Sequence, residues 1–393
     1  MREVLPQVMQ WWRTGDSVAV ATVVDTWRSA PQPAGASMAI GPDGTVVGSV
    51  SGGCVEGAVY EVGQHVLANG IPVLQRYGVS DDDAYAVGLT CGGVLDVLVE
   101  RVSREAFAEL GAVNEDIEQG RPVAVATIIE HPDVAWVGRR LVVRPEGAGQ
   151  KVVNSLGSSR ADDAVIDDAR GLLATGRTGT LEYGPDGERR GLGMRVFVAS
   201  FAPKPRMLVF GAIDFAAAVA TVGAFLGYHV TVCDARPIFA TKARFAAADE
   251  VVVQWPHRYL ATEIEAARVD ERTVMCVLTH DPKFDVPVLR LALQGPRVAY
   301  IGAMGSRSTH EDRETRLRDV GVSDADLDRL SSPIGLDLGA RTPQETAVSI
   351  AAEIIANRWG GRGERLAQSR GPIHHHGDAP HLASLPIGGP NDR

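Results

Sequence analysis

The sequence predicts an α/β protein in two parts, an N-terminal α+β domain followed by a C-terminal doubly wound parallel sheet. Three observations predict it. The opening residues carry β-branched runs joined by hairpin signals, Ala202-Pro203-Lys204-Pro205 is the clearest punctuation in the middle of the chain, and beyond it strand-like runs alternate with helical ones. A length of 393 residues and an apolar content of 45% are enough to bury more than one core.

Taken in order, SVAVATVVDTW at 17–27 is rich in β-branched residues and reads as a strand. Residues 37–50 give two short apolar runs across Gly41-Pro42-Asp43-Gly44, a hairpin turn. From Cys54, the segment CVEGAVYEVGQHVLANG sets Val55, Val59, Val62 and Val66 at helical spacing and stops at Gly70, which places Cys54 at a helix N-terminus. PVLQRYGV reads as a strand, Ser80-Asp81-Asp82-Asp83 as a polar loop, and GVLDVLVE as a buried strand that Cys91 precedes. Residues 107–200 predict a helix, the strand PVAVATIIE, a hairpin around Val137-Gly138-Arg139, a helix near 163–174 and the strand MRVFVAS.

In the second part, strands are expected at 207–210, 229–233, 250–253, 274–278 and 298–301 with helices between them, a Rossmann-like architecture. The stretch 215–230 reads as a buried helix running into a strand, since it falls short of the roughly 20 apolar residues a bilayer span needs. A last helix starts at Pro343 and stops at Gly360. The expected domains are therefore 1–202 and 203–360. Residues 361–393 are expected to be a flexible tail, and their His374-His375-His376 reads as solvated rather than as a metal site.

A net charge of −10 spread along the chain argues against nucleic-acid and membrane-surface partners. Four cysteines without dense spacing (Cys54, Cys91, Cys233 and Cys276) fit a reducing compartment, and Glu3 with no apolar core in the opening residues speaks against a secretory signal, so a cytoplasmic protein is expected. Cys233 and Cys276, inside strands, read as small core residues.

The most concentrated chemistry lies in two mirror-image settings, Ser51-Gly52-Gly53-Cys54-Val55-Glu56 and Leu89-Thr90-Cys91-Gly92-Gly93. Paired glycines clear side chains from around a sulfur, permit positive φ, and leave amide N–H groups open to a ligand. The thiols are 37 residues apart (91 − 54) and lack the CxxC or HxxH partners of a structural zinc site. His65, on the helix after Cys54, is poorly placed as the base of a cysteine nucleophile. Soft-ligand binding fits better; a reversible disulfide, and hence a thiol redox protein, stays open, as does tight-turn packing.

In the parallel-sheet domain, Gly211-Ala212-Ile213-Asp214-Phe215-Ala216 lacks the second and third glycines of a dinucleotide fingerprint, and Asp214 brings a carboxylate where a phosphate would meet the helix dipole. As an NAD site the loop is compromised, and Asp214 is expected to cap its helix. Asp234, 23 residues after Gly211 (234 − 211), with Arg236 beside it, stands where an acidic residue reaches a ribose. Thr279-His280-Asp281 and Gly302-Ala303-Met304-Gly305-Ser306-Arg307 end two further strands and are expected to open on the same crevice, the latter as a phosphate cradle or merely as a helix start. An NAD(P)-dependent oxidoreductase is the alternative these features keep open.

Five segments in order, GSVSGGCVEG (48–57), GLTCGG (88–93), VLTHDPKFD (277–285), YIGAMGSR (300–307) and SPIGLDLGARTPQETAVSIAAEIIANR (332–358), resemble the XdhC/CoxI family, accessory proteins for molybdenum hydroxylases such as xanthine dehydrogenase and carbon monoxide dehydrogenase. The resemblance implies a chaperone rather than an enzyme: it would bind molybdenum cofactor, shield it while a cysteine desulfurase supplies the sulfido ligand, and insert it into an apo-enzyme. A homo-oligomer is also expected. On this reading Cys54 and Cys91 approach the molybdenum or the dithiolene, and the amides of Gly52, Gly53, Gly92 and Gly93, with Glu56 nearby, meet the pterin. Gly211, Asp234, Arg236, His280, Gly302, Gly305, Ser306 and Arg307 would hold the phosphate or nucleotide end. Where family members read Gly-Ala-Gly-His, this chain reads Gly211-Ala212-Ile213-Asp214.

Overall fold

The computed structural model describes residues 1–27, 30–78, 93–146 and 152–368. The chain forms two compact units, Met1–Pro203 and Lys204–Arg393.

The first unit opens with α1 (Leu5–Thr14), β1 (Val18–Trp27), β2 (Ser37–Ile40), β3 (Val46–Gly48), α2 (Glu56–Asn69), β4 (Val73–Tyr77) and β5 (Val94–Val102). It continues with α3 (Leu110–Glu118), β6 (Val123–Glu130), β7 (Arg140–Val143), α4 (Ser159–Thr175), β8 (Gly179–Tyr183) and β9 (Met194–Phe201). Two antiparallel sheets result, ordered β3-β2-β1-β5-β4 and β7-β6-β9-β8.

Strand alternation explains how these sheets are covered. Along β1, Ala19, Ala21 and Val23 join the core built on Val59 and Val66 of α2, whereas Val18 and Val20 join Leu5, Val8 and Met9 of α1 and Leu110 and Val113 of α3. Along β6, Val123 and Val125 enter the same α1–α3 core, and Ala124, Ala126 and Ile128 pack on α4. Every second side chain thus points to the opposite face, and both faces of each central strand are buried. The helix read from Cys54 onward starts two residues later, at Glu56, and ends as expected on Gly70, which takes a left-handed φ of 74°.

The second unit contains β10 (Arg206–Phe210), α5 (Asp214–Phe225), β11 (His229–Asp234), β12 (Glu250–Val253), α6 (Pro256–Glu265), β13 (Val274–Val277) and α7 (Pro282–Gln294). After these come β14 (Tyr300–Ala303), α8 (Arg307–Asp319), α9 (Asp324–Leu327), β15 (Leu330–Ser331) and α10 (Pro343–Trp359). All five strand pairings are parallel, in the order β12-β11-β10-β13-β14-β15. Met207 and Val209 of β10 face α5 and α10, while Leu208 and Phe210 face α6 and α7, so helices cover both faces of a Rossmann-like sheet. The strand order reverses between β10 and β13, and ligand crevices form at the carboxyl ends of such a switch. Helix α10 begins on a capping box, Thr342 with Glu345, with Pro343 in its first turn.

The fifth expected strand, at 298–301, sits two residues further on as β14, and β8 and β15 lack the runs that would have announced them; α1, also not among the expected helices, does set Leu5, Val8, Met9 and Trp12 at helical spacing. No helix among the described residues is long and apolar enough to cross a membrane.

Candidate functional site

The Cys54 setting is a turn between β3 and α2, organised by one carboxylate. Glu56 is the first residue of α2, and its side chain turns back over the chain that precedes it. Oε1 accepts from Ser49 Oγ at 2.5 Å, Ser51 N at 2.8 Å and Val50 N at 3.2 Å. Oε2 accepts from Ser51 Oγ at 2.6 Å, Gly53 N at 2.8 Å and Val55 N at 3.2 Å. The two serines finish the turn: Ser49 Oγ accepts from Gly52 N at 2.8 Å, and Ser51 Oγ accepts from Cys54 N at 2.9 Å and Val55 N at 3.0 Å. Burial opposes the charge on Glu56, but the hydroxyls of Ser49 and Ser51 and the loop amides outweigh it and hold the carboxyl down at about 2.

Gly52 and Gly53 take φ values of 78° and 117°, the left-handed region that admits glycine at least cost, and an added Cβ on either would meet nothing within 4 Å among the described residues. The amides differ from expectation. Gly52 and Gly53 do not hold their N–H groups open to a ligand, because Ser49 and Glu56 already accept from them, and Glu56 itself is committed to the loop. Cys54 is half-buried, its side chain packed against the core under α2. Cys91 and Gly92 lie outside the described residues, and Gly93 directly precedes β5.

In the second unit the strand-end candidates gather along the carboxyl edge of the parallel sheet. Gly211 follows β10 with φ of 114°, and a Cβ there would lie 2.8 Å from Thr279 Cγ2 and 3.1 Å from Thr279 N, so the glycine permits close approach of two strand ends at the switch point. Asp234, at the end of β11, is 2% exposed. Its Oδ2 accepts from Ala212 N at 2.7 Å and from Arg236 Nη2 at 2.8 Å; its Oδ1 accepts from Arg236 N and Nε, both at 2.9 Å. Burial disfavours the ionised form, yet the Arg236 guanidinium and these amides hold the carboxyl below its ordinary value. The carboxylate and arginine expected to hold a ribose are thus fork-bonded to each other, with the guanidinium 4.8 Å from the Phe239 ring.

Asp214 does not cap α5. Ile213 occupies that position without a side-chain bond, and Asp214, the first helical residue, pairs with Arg244 at 3.0 Å while remaining 85% exposed. His280 is exposed and Asp281 caps α7 by accepting from Lys283 N at 3.0 Å. Gly302 lies inside β14, where a Cβ would collide with Ile334 and Tyr300 at 2.5–2.7 Å; it is a packing glycine, not part of a phosphate cradle. Ser306 caps α8 through Thr309 N at 3.2 Å, and Arg307 is exposed. Gly305 lies over Arg313, which donates to Met304 O at 2.6 Å, Ser332 Oγ at 3.0 Å and Asp285 Oδ2 at 3.2 Å.

Arg313 and Asp285, with side chains 3% and 5% exposed, were not among the sequence candidates. Burial pushes the Asp285 carboxyl up to about 6 against the pull of Arg313. Helix α8 is polar apart from Leu317, and a single apolar residue makes no periodicity that would single out its one buried arginine. Ser49 and Ser51 were also missed; the signal that could have found them is Gly53-x-x-Glu56, the three-residue reach at which a helix-start glutamate returns to an amide. Cys233 and Cys276 are 1% and 0% exposed, and burial pushes both thiols up to about 12.

Two family models match the chain. The one described as the XdhC and CoxI family covers residues 11–78 and 116–184, and the one described as the XdhC Rossmann domain covers 207–354. A Bacillus subtilis (strain 168) protein, named as a probable subunit of xanthine dehydrogenase, is 28% identical over 347 residues, 87% of this chain and 94% of that one. The Escherichia coli (strain K12) protein named molybdenum cofactor insertion chaperone PaoD is 24% identical over 357 residues, 91% of this chain and 88% of that one. A crystal structure from Bacillus halodurans, described as a xanthine dehydrogenase, shares the fold with a TM-score of 0.64 at 24% identity, over 93% of this chain and 97% of that one.

Proposed function

The chain is a member of the XdhC and CoxI family, and on that premise we propose that it binds the molybdenum cofactor and delivers it to a molybdenum hydroxylase apo-enzyme. The cofactor is cargo rather than a resident group. The finer steps of the proposal are that a cysteine desulfurase partner supplies the terminal sulfido ligand while the cofactor is held, and that Cys54 and Cys91 are its soft ligands. The names of the B. subtilis and E. coli relatives, one a probable part of xanthine dehydrogenase and the other a molybdenum cofactor insertion chaperone, support the reading.

The observation that carries it is the Cys54 turn. A half-buried cysteine stands beside two glycines at which an added Cβ would meet nothing within 4 Å among the described residues, on a loop fixed by six donors to one carboxylate. A soft donor beside two glycines suits a thiophilic metal centre carrying a flat ligand. A cysteine ligates as its thiolate, so the thiol proton leaves to solvent when the cofactor binds and returns when it is released. What Cys54 supplies is a ligand atom in a set position, and what the glycines supply is room.

The oxidoreductase alternative keeps the Rossmann-like sheet, but the Asp234 on which it also rested is bonded to Arg236 and to the Ala212 amide. The proposal is tested by titrating the purified full-length chain with molybdenum cofactor. Near-stoichiometric binding is expected, weakened about tenfold or more by Cys54→Ala or Cys91→Ala, which corresponds to about 1.4 kcal/mol for one lost ligand contact. Binding unchanged in both variants overturns the thiol assignment, and no binding by the parent chain overturns the delivery role. NAD(H) and NADP(H) are expected not to bind tightly.

A further inference from the structure

Six consecutive amides, those of residues 50–55, donate inward. Val50, Ser51, Gly53 and Val55 reach the Glu56 carboxylate, Gly52 reaches Ser49 Oγ, and Cys54 and Val55 reach Ser51 Oγ. Convergent N–H groups in front of a helix N-terminus, with the helix dipole behind them, are the arrangement that elsewhere takes a phosphate or sulfate. Here the anion in that seat is the side chain of the first helical residue.

We propose that Glu56 is the positioning residue of the Cys54 loop: its carboxylate acts as a built-in anion that fills the seat of inward N–H groups, fixes the sulfur and keeps phosphate out.

The specificity follows from peptide geometry. In a planar trans peptide the carbonyl points opposite to the N–H of the next residue, so inward amides at 52–55 turn the carbonyls of 51–54 outward. A ligand that approaches the outward side of this loop meets hydrogen-bond acceptors, the carbonyls of 51–54. It is matched by groups that donate, such as amino and ring N–H edges, and opposed by phosphate oxygens, which would also have to displace a tethered carboxylate. The identity of that ligand rests on the cofactor-binding reading; the role of Glu56 in the loop does not. If the cargo is the molybdenum cofactor, its pterin edge faces this turn and its phosphate lies elsewhere.

The test uses the full-length chain without cofactor, alkylated by iodoacetamide and read by peptide mass spectrometry so that each cysteine is followed separately. In Glu56→Ala the Cys54 rate is expected to rise about tenfold, as expected when a locally held segment opens, and added formate is expected to return it towards the parent rate. In Glu56→Gln the rate also rises, but formate has no effect, because the amide already fills the seat. Ser51→Ala, which removes the acceptor of Cys54 N and one donor to Oε2, gives a smaller rise of about threefold and carries the test should Glu56→Ala fail to fold. Pyrophosphate is expected to leave alkylation of the parent chain unchanged. The proposal is overturned by parent-like rates in the variants that fold, by a formate effect equal in the alanine and glutamine variants, or by pyrophosphate protecting Cys54 in the parent. None of these readings involves the cofactor, so a failure here leaves the delivery role standing, and a chain that binds no cofactor leaves this result standing.

Discussion

The turn before α2 and the turn before α5 have the same ingredients: left-handed glycine, amide groups aimed off a helix N-terminus, and a carboxylate as the first helical residue, Glu56 in one and Asp214 in the other. They use them differently. Glu56 folds back and collects six donors, whereas Asp214 stays 85% exposed and pairs with Arg244. The amide of the second turn, Ala212 N, is instead taken by Asp234, which arrives from the end of the neighbouring strand. One extra methylene lets glutamate reach back to its own turn, and the shorter aspartate leaves that task to a residue from another strand. In both turns the chain supplies its own anion.

The sharpest way to break the comparison is to remove the anion that comes from afar. Asp234→Ala leaves the Ala212 amide and the Arg236 fork without their acceptor, and a loss of about 3 kcal/mol in the stability of the second unit is expected by urea denaturation, as for charged hydrogen bonds at a buried site. Asp234→Asn, which keeps one acceptor, should lose clearly less. Equal losses in the two variants would show that Asp234 fills space and does not hold the turn.

A smaller effect separates the glycines. Gly211→Ala meets both an unfavourable φ and Thr279 at 2.8 Å, and a cost of about 2–3 kcal/mol is expected. Gly52→Ala has the φ penalty, with nothing among the described residues within 4 Å of the new methyl, and about 1 kcal/mol is expected. If the order is reversed, the second turn is looser than its contacts indicate.

The smallest effect is that of acid on Glu56. Its carboxyl is lowered in the folded state from the ordinary 4.5 to about 2, so it stabilises the fold above pH 4.5 and loses that contribution as pH falls from 4.5 towards 2. Solvent reaches this part-buried group, and a contribution of about 1 kcal/mol is expected. The stability difference between the parent and Glu56→Gln should therefore narrow across that window in a pH series of thermal melts. A difference that stays constant would mean that the carboxylate has no special hold on the loop.

Much of the molecule is legible in its sequence where the cause is local. The alternation of β1 and β6, the parallel strand run after 203, the stop of α2 at Gly70 and the positive φ of Gly52 and Gly53 each follow from residues within a few positions of one another. The candidate sites are less legible. Gly52, Gly53 and Glu56 read as facing a ligand, and Asp234 with Arg236 as holding one, because residue type shows what a group can bond and not what already occupies it. Gly302 reads as part of a phosphate loop until its neighbours Ile334 and Tyr300 show why no side chain fits there.

The amino-acid order by itself determined the two-part α/β plan, the glycine-flanked cysteine and a carboxylate at the start of α2 and of α5, since periodicity, φ freedom and helix starts are properties of short stretches. The tertiary structure alone decided which acceptor each amide found. Asp234 reaches Ala212 because parallel pairing of β10 with β11 brings their ends together, and Arg313 joins Asp285, Met304 and Ser332 because three strand-to-helix connections converge on it. Buried donors and acceptors must be paired, and the partner is whatever the folded chain places within about 3 Å, however distant it is in sequence.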